Sequence, residues 1–288
     1  MNSPILVTGA LGNVGAEVVK SLLAVGQPVR AADRIPEAIG QRFGSAVEAA
    51  RIDFMDQATF QPALAGVERM FLMRPPAISN VQSLMFPAID AAKRAGVQQV
   101  VFLSVIGADK NRVVPHRKIE QHILHSGLGY TFLRPSFFMQ NLSTTHRNEI
   151  RDQGEIFVPA GEGKTSFVDV RDIAAVAALA LSQPGHTDTV YELTGDRALS
   201  YAEVAATLSN ALGRPIAYCQ PSLLQFVRRQ RQRGTPWPFV LVMSGIYTTA
   251  RLGLAGRVTG DVRRLLGRGP ISFGQFARDY AGAWRSAN

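Results

Sequence analysis

The first 135 residues alternate short apolar runs with stretches in which apolar residues recur every three or four positions. Short apolar runs are typical of buried strands, and the longer spacing is typical of amphipathic helices. Strands are predicted at 4–8, 28–32, 47–52, 69–73, 99–103 and 130–133, and helices at 16–25, 57–65, 85–95 and 116–125. Strands that alternate with helices predict an α/β fold with a doubly wound parallel sheet.

The rhythm changes after Pro135, where strands become sparse and helices dominate. Strands are predicted at 167–170 and 190–193, and helices at 173–182, 201–212, 261–266 and 273–284. Asp172 is the expected cap of the Ala-rich helix, and Ser200 with Glu203 has the spacing of a capping box. Pro-rich and Arg-rich segments with short helices follow. These pieces predict a second, smaller lobe.

Three glycines lie between the first strand and the first helix, spaced G-x-x-G-x-x-G at Gly9, Gly12 and Gly15. Glycine lets the backbone turn sharply and lets a pyrophosphate approach the amides at a helix N-terminus. A plain glycine turn is the alternative. The position of the motif inside a complete βαβ unit favours a dinucleotide site for NAD(P)(H). We therefore expect an NAD(P)-binding Rossmann domain over 1–155, to which later segments return, and a substrate-binding lobe over 156–288.

The end of the second strand carries the residues that choose between the two dinucleotides. Asp33 can accept hydrogen bonds from the adenosine ribose, and its charge opposes a 2′-phosphate, which favours NAD(H). Arg34 argues the other way, because a guanidinium can pair with a 2′-phosphate or stack on adenine. The preference stays open at this point.

Two further strand ends add candidate cofactor residues. Asp53 could bond the adenine amino group with Phe54 beside the ring, or it could cap the helix that follows. Met73 and Arg74 leave the fourth strand toward the expected cleft, where Arg74 would contact phosphates or remain a surface arginine.

Composition and charge narrow the class of protein. Hydrophobic residues make up 46% and charged residues 18% of the chain, which excludes wholesale disorder. The net charge of +9 belongs to the C-terminal quarter, since residues 212–288 hold twelve Arg against two Asp. Such a block could meet nucleic acid, an acidic surface or an anionic ligand, or form a solvated helical face. Specific nucleic-acid binding is not expected, because no recognised binding motif accompanies the charge.

The cysteine content, the first residues and the apolar stretches of the chain indicate where the protein resides and whether it binds a metal. The single Cys219 allows no internal disulfide, and no Cys/His spacing suggests a metal site. The first residues lack the charged lead of a signal peptide. The longest apolar stretch, 239–256, is interrupted by hydroxyl residues and by Arg251, which argues against a membrane span. We expect a cytoplasmic protein.

Several segments together resemble one known family. The segments VTGALGNVG, DFMD, FLSVIGAD, HRKIEQHILHSGLGYTFLRPSFFMQN and SFVDVRDIA are similar to the NmrA-like branch of atypical short-chain dehydrogenases, from residue 4 to about residue 215. That branch includes NAD(P)H-dependent quinone reductases, triphenylmethane dye reductases and a redox-sensing transcriptional regulator. The resemblance implies a Rossmann domain with a small substrate lobe, and an oxidoreductase as the function.

The resemblance also implies roles for individual residues. The pyrophosphate would be held by Gly9, Leu11, Gly12, Asn13 and Val14. Ser104 and Val105 would lie under the nicotinamide ribose, and Pro135, Ser136 and Phe137 near the carboxamide. Phe137 also begins an apolar run that would form a wall against a flat substrate, or pack in the core.

The chain departs from the family pattern at the catalytic pair. Short-chain dehydrogenases normally use Tyr-x-x-x-Lys for proton transfer, and the corresponding positions here are Arg112 and His116. No tyrosine lies between Ser104 and Tyr130, so alcohol and ketone chemistry is not favoured. We expect hydride transfer to a quinone-like, aromatic or enone acceptor, because the cofactor carries that chemistry.

Three questions stay open: the role of His116, the function of the whole protein and its assembly. His116 would orient the cofactor ribose or donate a proton, with Ser104 as a second catalytic candidate, or His116 would be a helix-start residue bonded to backbone. The whole protein would be a reductase of a small molecule, or a catalytically silent NAD(P)-binding sensor. Its assembly could be a homodimer.

Overall fold

The computed structural model describes residues 3–285. The strands are β1 Ile5–Thr8, β2 Val29–Asp33, β3 Glu48–Arg51, β4 Arg69–Met73, β5 Gln99–Leu103, β6 Gly129–Pro135, β7 Glu155–Ile156, β8 Lys164–Thr165, β9 Thr189–Leu193, β10 Leu199–Ser200 and β11 Ala217–Tyr218. The helices are α1 Asn13–Ala24, α2 Pro36–Phe43, α3 Phe60–Leu64, α4 Val81–Leu84, α5 Phe86–Arg94, α6 Pro115–Ser126, α7 Gln140–Ser143, α8 Val170–Ser182, α9 Tyr201–Leu212, α10 Leu223–Gln232, α11 Trp237–Arg251, α12 Asp261–Leu266 and α13 Phe273–Asp279.

The chain up to Pro135, together with 170–193, forms the first of two units. Its centre is a seven-stranded sheet in the order β3-β2-β1-β4-β5-β6-β9, and every strand pair is parallel. This confirms the doubly wound parallel sheet. The order reverses between β1 and β4, and ligands of such sheets bind beyond the carboxyl ends of the strands at that switch point.

Helices cover both faces of this sheet, as its strand composition requires. Every residue of β1 and β5 is buried, which is the pattern of a parallel strand covered on both sides. Helices α1 and α8 pack against each other, while α3, α5 and α6 share a core with Leu6, Phe102 and Phe132. The strands that end at the carboxyl edge of the sheet are therefore held in place by closely packed helices on both faces.

The second unit consists of 136–169 and the chain from Thr194 onward. It contains two small sheets, antiparallel β8–β10 and parallel β7–β11. Its core is rich in aromatic side chains that are under 2% exposed: Trp284, Tyr201, Tyr247, Phe167, Phe226 and Phe276. Ser200 and Glu203 form the expected capping box at the start of α9.

Some predicted elements are wrong. The strand at 167–170 reduces to one isolated bridge between Phe138 and Val168, because α8 already begins at Val170 and leaves no room for a ladder. Asp172 consequently lies inside the first turn of α8. The helix predicted over 273–284 ends at Asp279 and continues as a 3-10 turn. The 15-residue α11 is longer than the short helices expected there.

Candidate functional site at the carboxyl edge of the sheet

The glycine turn after β1 has no space for side chains. Gly9 has φ +65, and a Cβ built there would lie 2.5 Å from the sulfur of Met73. A Cβ on Gly15 would lie 2.2 Å from the carbonyl oxygen of Gly9. The Gly12 amide donates to the same carbonyl at 2.9 Å and closes the turn. Gly15 is therefore required by a close backbone approach, and Gly9 by its left-handed conformation, while a Cβ on Gly12 would lie 3.2 Å from the Gly9 carbonyl oxygen.

The amino end of α1 is open to an anion. Gly12 is its cap residue and offers no side-chain hydrogen bond. The first amides of a helix have no intrahelical acceptor, so those of Asn13, Val14 and Gly15 face outward from the turn beside the positive end of the helix dipole. This is the arrangement that binds pyrophosphate in dinucleotide folds.

Asp33 is held beside that turn by the backbone. One of its carboxylate oxygens accepts from the Leu11 amide at 3.3 Å, and the other accepts from the Arg34 amide at 2.8 Å. The carboxylate thus lies where β2 ends, next to the glycine turn, while Arg34 is exposed.

Sequence reasoning missed a second guanidinium at this place. Arg42 on α2 donates to the Leu11 carbonyl at 2.8 Å and therefore reaches the glycine turn. Helix α2 itself was not predicted, although Pro36 in its first turn is a recognised helix-start signal. Arg42 adds a positive charge to the neighbourhood of Asp33 and Arg34.

Asp53 and Phe54 follow β3 in a tight turn. The Asp53 carboxylate accepts from the Met55 amide at 3.0 Å, while Asp56 is the residue that caps the following turn. Phe54 is 7% exposed and its ring lies 6.4 Å from that of Phe60. Phe54 is thus a core residue, and a contact of either side chain with adenine stays a prediction.

Arg74 turns back on its own loop. Its guanidinium donates to the carbonyls of Pro75 and Pro76 at 3.2 Å and of Ile78 at 2.5 Å. Burial lowers the pKa of Arg74, and its Nε is buried without a hydrogen-bond partner among residues 3–285. Neighbouring Met73 links two strand ends, since its amide donates to the Thr8 hydroxyl at 3.1 Å.

His116 lies within electrostatic reach of Arg74. Burial, followed by the charge of Arg74, lowers the pKa of His116 from 6.5 to about 3. The residue occupies the first turn of α6, where the helix dipole also opposes a cation. Its Nδ1 is buried and bonded to nothing in the described part of the chain. The imidazole is consequently neutral at physiological pH, and it is not bonded to backbone through Nδ1.

Ser104 is committed to a buried ion pair. It is 1% exposed, and its hydroxyl donates to Glu120 at 2.5 Å. Glu120 is 2% exposed and also accepts two bonds from Arg134, at 3.0 and 2.7 Å. Val105 begins the turn that follows β5, where its carbonyl accepts from the Ala108 amide. Sequence reasoning missed Glu120 and Arg134, although an arginine inside an apolar strand signals a buried acidic partner.

The remaining predicted residues divide between the two units. Pro135 ends β6 in the first unit, where its carbonyl accepts from the Ile106 amide at 3.1 Å. Ser136 and Phe137 belong to the second unit. The Ser136 hydroxyl donates to the Ser166 carbonyl, and the Phe137 ring lies 5.5 Å from that of Phe167.

The positions of the missing catalytic pair hold no substitute tyrosine. Arg112 is exposed in the loop before α6. Tyr130 stacks on Phe132 at 4.5 Å near the amino end of β6, which is the end of a parallel strand opposite to the ligand edge. The polar side chains that the first unit offers as reaction candidates at this edge are therefore neutral His116 and charged Arg74.

A cavity of about 420 Å³ lies within the second unit, lined by none of the residues above. His146 on its wall contacts the Tyr247 hydroxyl at 2.5 Å and Glu149 at 3.2 Å, and Arg233 donates to Glu149. Its principal charged groups satisfy one another, so the cavity itself indicates no ligand. The glycine turn is the better candidate site.

A parallel sheet of this order, with a glycine-rich turn leading from β1 into α1, defines the dinucleotide-binding α/β class. The sequence profile of the NmrA-like family matches residues 1–246. The chain belongs to that family, which confirms the resemblance found in the sequence.

Three known proteins with similarity along nearly the whole chain sharpen this placement. The NAD(P)H azoreductase of Xenophilus azovorans is 37% identical, over 98% of this chain and 100% of that protein. The NADPH-bound quinone oxidoreductase of Escherichia coli is 26% identical with a TM-score of 0.86, over 96% and 99% of the two chains. The triphenylmethane reductase of a Citrobacter species, complexed with NADP(H), is 25% identical with a TM-score of 0.85, over 96% and 99%.

Proposed function

We propose that this protein is an NAD(P)H-dependent oxidoreductase that transfers hydride to a small aromatic, quinone-like or enone acceptor. The observation that carries the proposal is the turn from Gly9 to Gly15, where a side chain at Gly15 would clash with backbone and the first helix amides are free. The similarity to an azoreductase, a quinone oxidoreductase and a triphenylmethane reductase supports the class of acceptor.

The residues at the carboxyl edge fit a nicotinamide dinucleotide. The amides of Asn13, Val14 and Gly15 would hold the pyrophosphate, Gly12 would cap the helix behind them, and the Asp33 carboxylate would accept from the adenosine ribose. Gly9 and Leu11 would shape the turn, and Asp53 would reach the adenine. When bound, the reduced nicotinamide supplies the hydride.

The preference between NADH and NADPH stays a prediction. It depends on the negative and positive side chains near the end of β2. Asp33 opposes a 2′-phosphate because its carboxylate is fixed by two amides. Arg34 and Arg42 favour the phosphate, and Arg42 already reaches the glycine turn. Asp33 inclines the site toward NAD(H), and removal of its charge measures how strongly.

Arg74 is proposed to stabilise the charge that hydride transfer places on the acceptor. Addition of hydride to a quinone or an enone leaves a negative oxygen, which a partly desolvated guanidinium stabilises strongly. Arg74 is half-buried and has an unused Nε donor. This electrostatic support reduces the need for the tyrosine that the chain lacks.

His116 is proposed to act as a neutral imidazole. With a pKa of about 3, it is not an acid at neutral pH, so in the resting protein it orients a ligand by hydrogen bonding. A negative oxygen formed beside it would raise its pKa and let it carry the proton that the reduced acceptor needs. Ser104 is proposed as a positioning residue, because its hydroxyl is donated to Glu120.

The second unit is proposed to supply contacts to the acceptor, as the expected substrate lobe. Phe137 offers an aromatic edge, since its ring is only half-buried and packs at 90° to that of Phe167. A flat acceptor suits such a surface.

The test is stopped-flow oxidation of NADH and NADPH by the full chain, with a quinone, an azo dye, a triphenylmethane dye and an enone as acceptors. We expect turnover with at least one acceptor, reduced in Arg74→Gln and unchanged in Arg94→Gln, a matched arginine near the end of α5. Absence of turnover with every acceptor refutes the proposal. If calorimetry then shows different affinities for the oxidised and reduced dinucleotide, the sensor hypothesis is the correct one.

A further inference from the structure

Helix α11 is apolar on both of its sides. Val240, Met243, Tyr247 and Ala250 face the core of the second unit. The opposite side carries large apolar side chains in solvent: Trp237, Leu241, Val242 and Ile246 are 51%, 64%, 58% and 42% exposed. The helix contains no charged residue before Arg251. Helices that are hydrophobic all round are normally buried on all sides, so the outward side of α11 is a surface that needs a covering.

The exposed apolar side chains form a strip of two rows. Trp237 and Leu241 are four residues apart, and so are Val242 and Ile246, so each pair lies along one side of the helix. Leu252 and Leu254 extend the strip past the helix end and are 66% and 72% exposed. We call the strip from Trp237 to Leu254 the α11 face. Single exposed apolar residues need no explanation, but a contiguous patch marks an interaction site.

Positive charge borders the α11 face at both ends. Arg228 and Arg231 lie on α10, which precedes the α11 face in the chain, and Arg251 is the last residue of α11. None of these three pairs with a carboxylate in the described chain. Arg231 instead stacks over the Trp237 ring at 4.8 Å. The charge is part of the block over 212–288, which holds twelve Arg and two Asp.

We propose that the α11 face docks on the surface of an anionic lipid bilayer. An apolar helix side bordered by arginines and a tryptophan is the pattern of helices that lie in the plane of a membrane interface. The apolar strip would enter the acyl boundary, and the arginines would contact phosphate groups of lipids. No helix of residues 3–285 is long and apolar enough to cross a bilayer, so α11 would lie along the surface.

Charge complementarity favours a bilayer over a second copy of the chain. Two copies joined through the α11 face would bring two strongly basic segments together, with no acidic group on that strip to offset the repulsion. An anionic bilayer supplies both an apolar layer and the opposite charge. The inference does not depend on the proposed enzymatic function.

Flotation of the full chain with lipid vesicles tests the proposal. We expect binding to vesicles of phosphatidylglycerol and phosphatidylcholine, weakened by added salt, and little binding to phosphatidylcholine alone. The two tryptophans give a direct signal, because Trp237 is 51% exposed while Trp284 is 0% exposed. A blue shift of emission on binding therefore reports entry of Trp237 into the bilayer.

Matched variants separate the α11 face from general adhesion. Leu241→Gln with Val242→Gln should lower the partition coefficient at least about tenfold, because each buried aliphatic side chain contributes strongly to transfer. Met55→Gln with Val25→Gln changes residues that are 79% and 56% exposed in the first unit, and should leave binding unchanged. Arg228→Gln with Arg251→Gln should weaken binding to anionic vesicles only.

Three results would overturn the proposal. The first is no binding to anionic vesicles, and the second is equal binding to neutral ones. The third is a dimer in analytical ultracentrifugation that the Leu241→Gln and Val242→Gln variant dissociates, since the covering would then be a second copy.

Discussion

Replacement of Gly15 by alanine probes the cofactor turn most directly. The new Cβ would lie 2.2 Å from the carbonyl oxygen of Gly9 and 2.7 Å from its carbonyl carbon. Both atoms are backbone and cannot rotate away. Relief to an ordinary contact of 3.4 Å requires α1 and the turn to separate by roughly 1.2 Å.

Such a separation has two measurable effects. Overpacking of this kind costs ~1–3 kcal/mol of unfolding free energy, and the bond from the Gly12 amide to the Gly9 carbonyl at 2.9 Å is disrupted. The amides at the amino end of α1 also move away from the position that the pyrophosphate would occupy. Because a hydrogen bond to a charged group contributes ~1.5–3 kcal/mol, loss of one amide–pyrophosphate bond should raise the Kd for NADH about tenfold to 100-fold.

Isothermal titration with NADH and urea unfolding measure the two effects separately. Gly40→Ala is the matched control, because Gly40 lies inside α2 with no atom within 4 Å of the new Cβ. That change should raise stability by ~0.5–1 kcal/mol and leave the Kd unaltered. The reasoning fails if Gly15→Ala binds NADH within about threefold of the parent, less than 1 kcal/mol.

The remaining predictions concern three side chains of the same edge. Asp33→Ala should raise the affinity for NADPH relative to NADH at least about tenfold, since like charges placed together cost several kcal/mol; an unchanged ratio in parallel titrations contradicts this. The pKa of His116 is about 3 when folded and 6.5 when unfolded, so the unfolded chain takes up the proton first on acidification. Stability should therefore fall between these values by up to ~1.4 kcal/mol per pH unit, and urea melts of His116→Gln should lack that component; parallel pH curves would show the assignment to be wrong. Ser104→Ala should lower the unfolding free energy by ~2 kcal/mol, because Glu120 loses a buried charged hydrogen bond, while kcat changes little; a large loss of kcat at unchanged stability would make Ser104 catalytic.

The glycine turn was predictable because its cause is local. Strand, turn and helix are adjacent in the chain, and the spacing of Gly9, Gly12 and Gly15 already specifies a close approach of backbone to backbone. Asp33 was predictable for a related reason, since a residue at the end of β2 must lie at the ligand edge of a parallel sheet.

The direction of side chains was not predictable in the same way. Arg74 stands at the expected strand end, yet its guanidinium turns onto the carbonyls of its own loop. Ser104 stands at the end of β5, yet its hydroxyl is used by Glu120. Both outcomes depend on residues distant in sequence, or on a loop conformation that hydrophobic periodicity does not encode.

The α/β class, the parallel sheet and the dinucleotide turn could be predicted from the amino-acid sequence alone, because periodicity and glycine spacing act over a few neighbouring residues. Tertiary structure decided the protonation of His116, since that depends on burial and on the charge of Arg74 across the fold. It also decided that one side of α11 is exposed. The sequence pattern of an apolar helix is the same whether its second side contacts protein or solvent, and only the packing of the whole unit distinguishes the two cases.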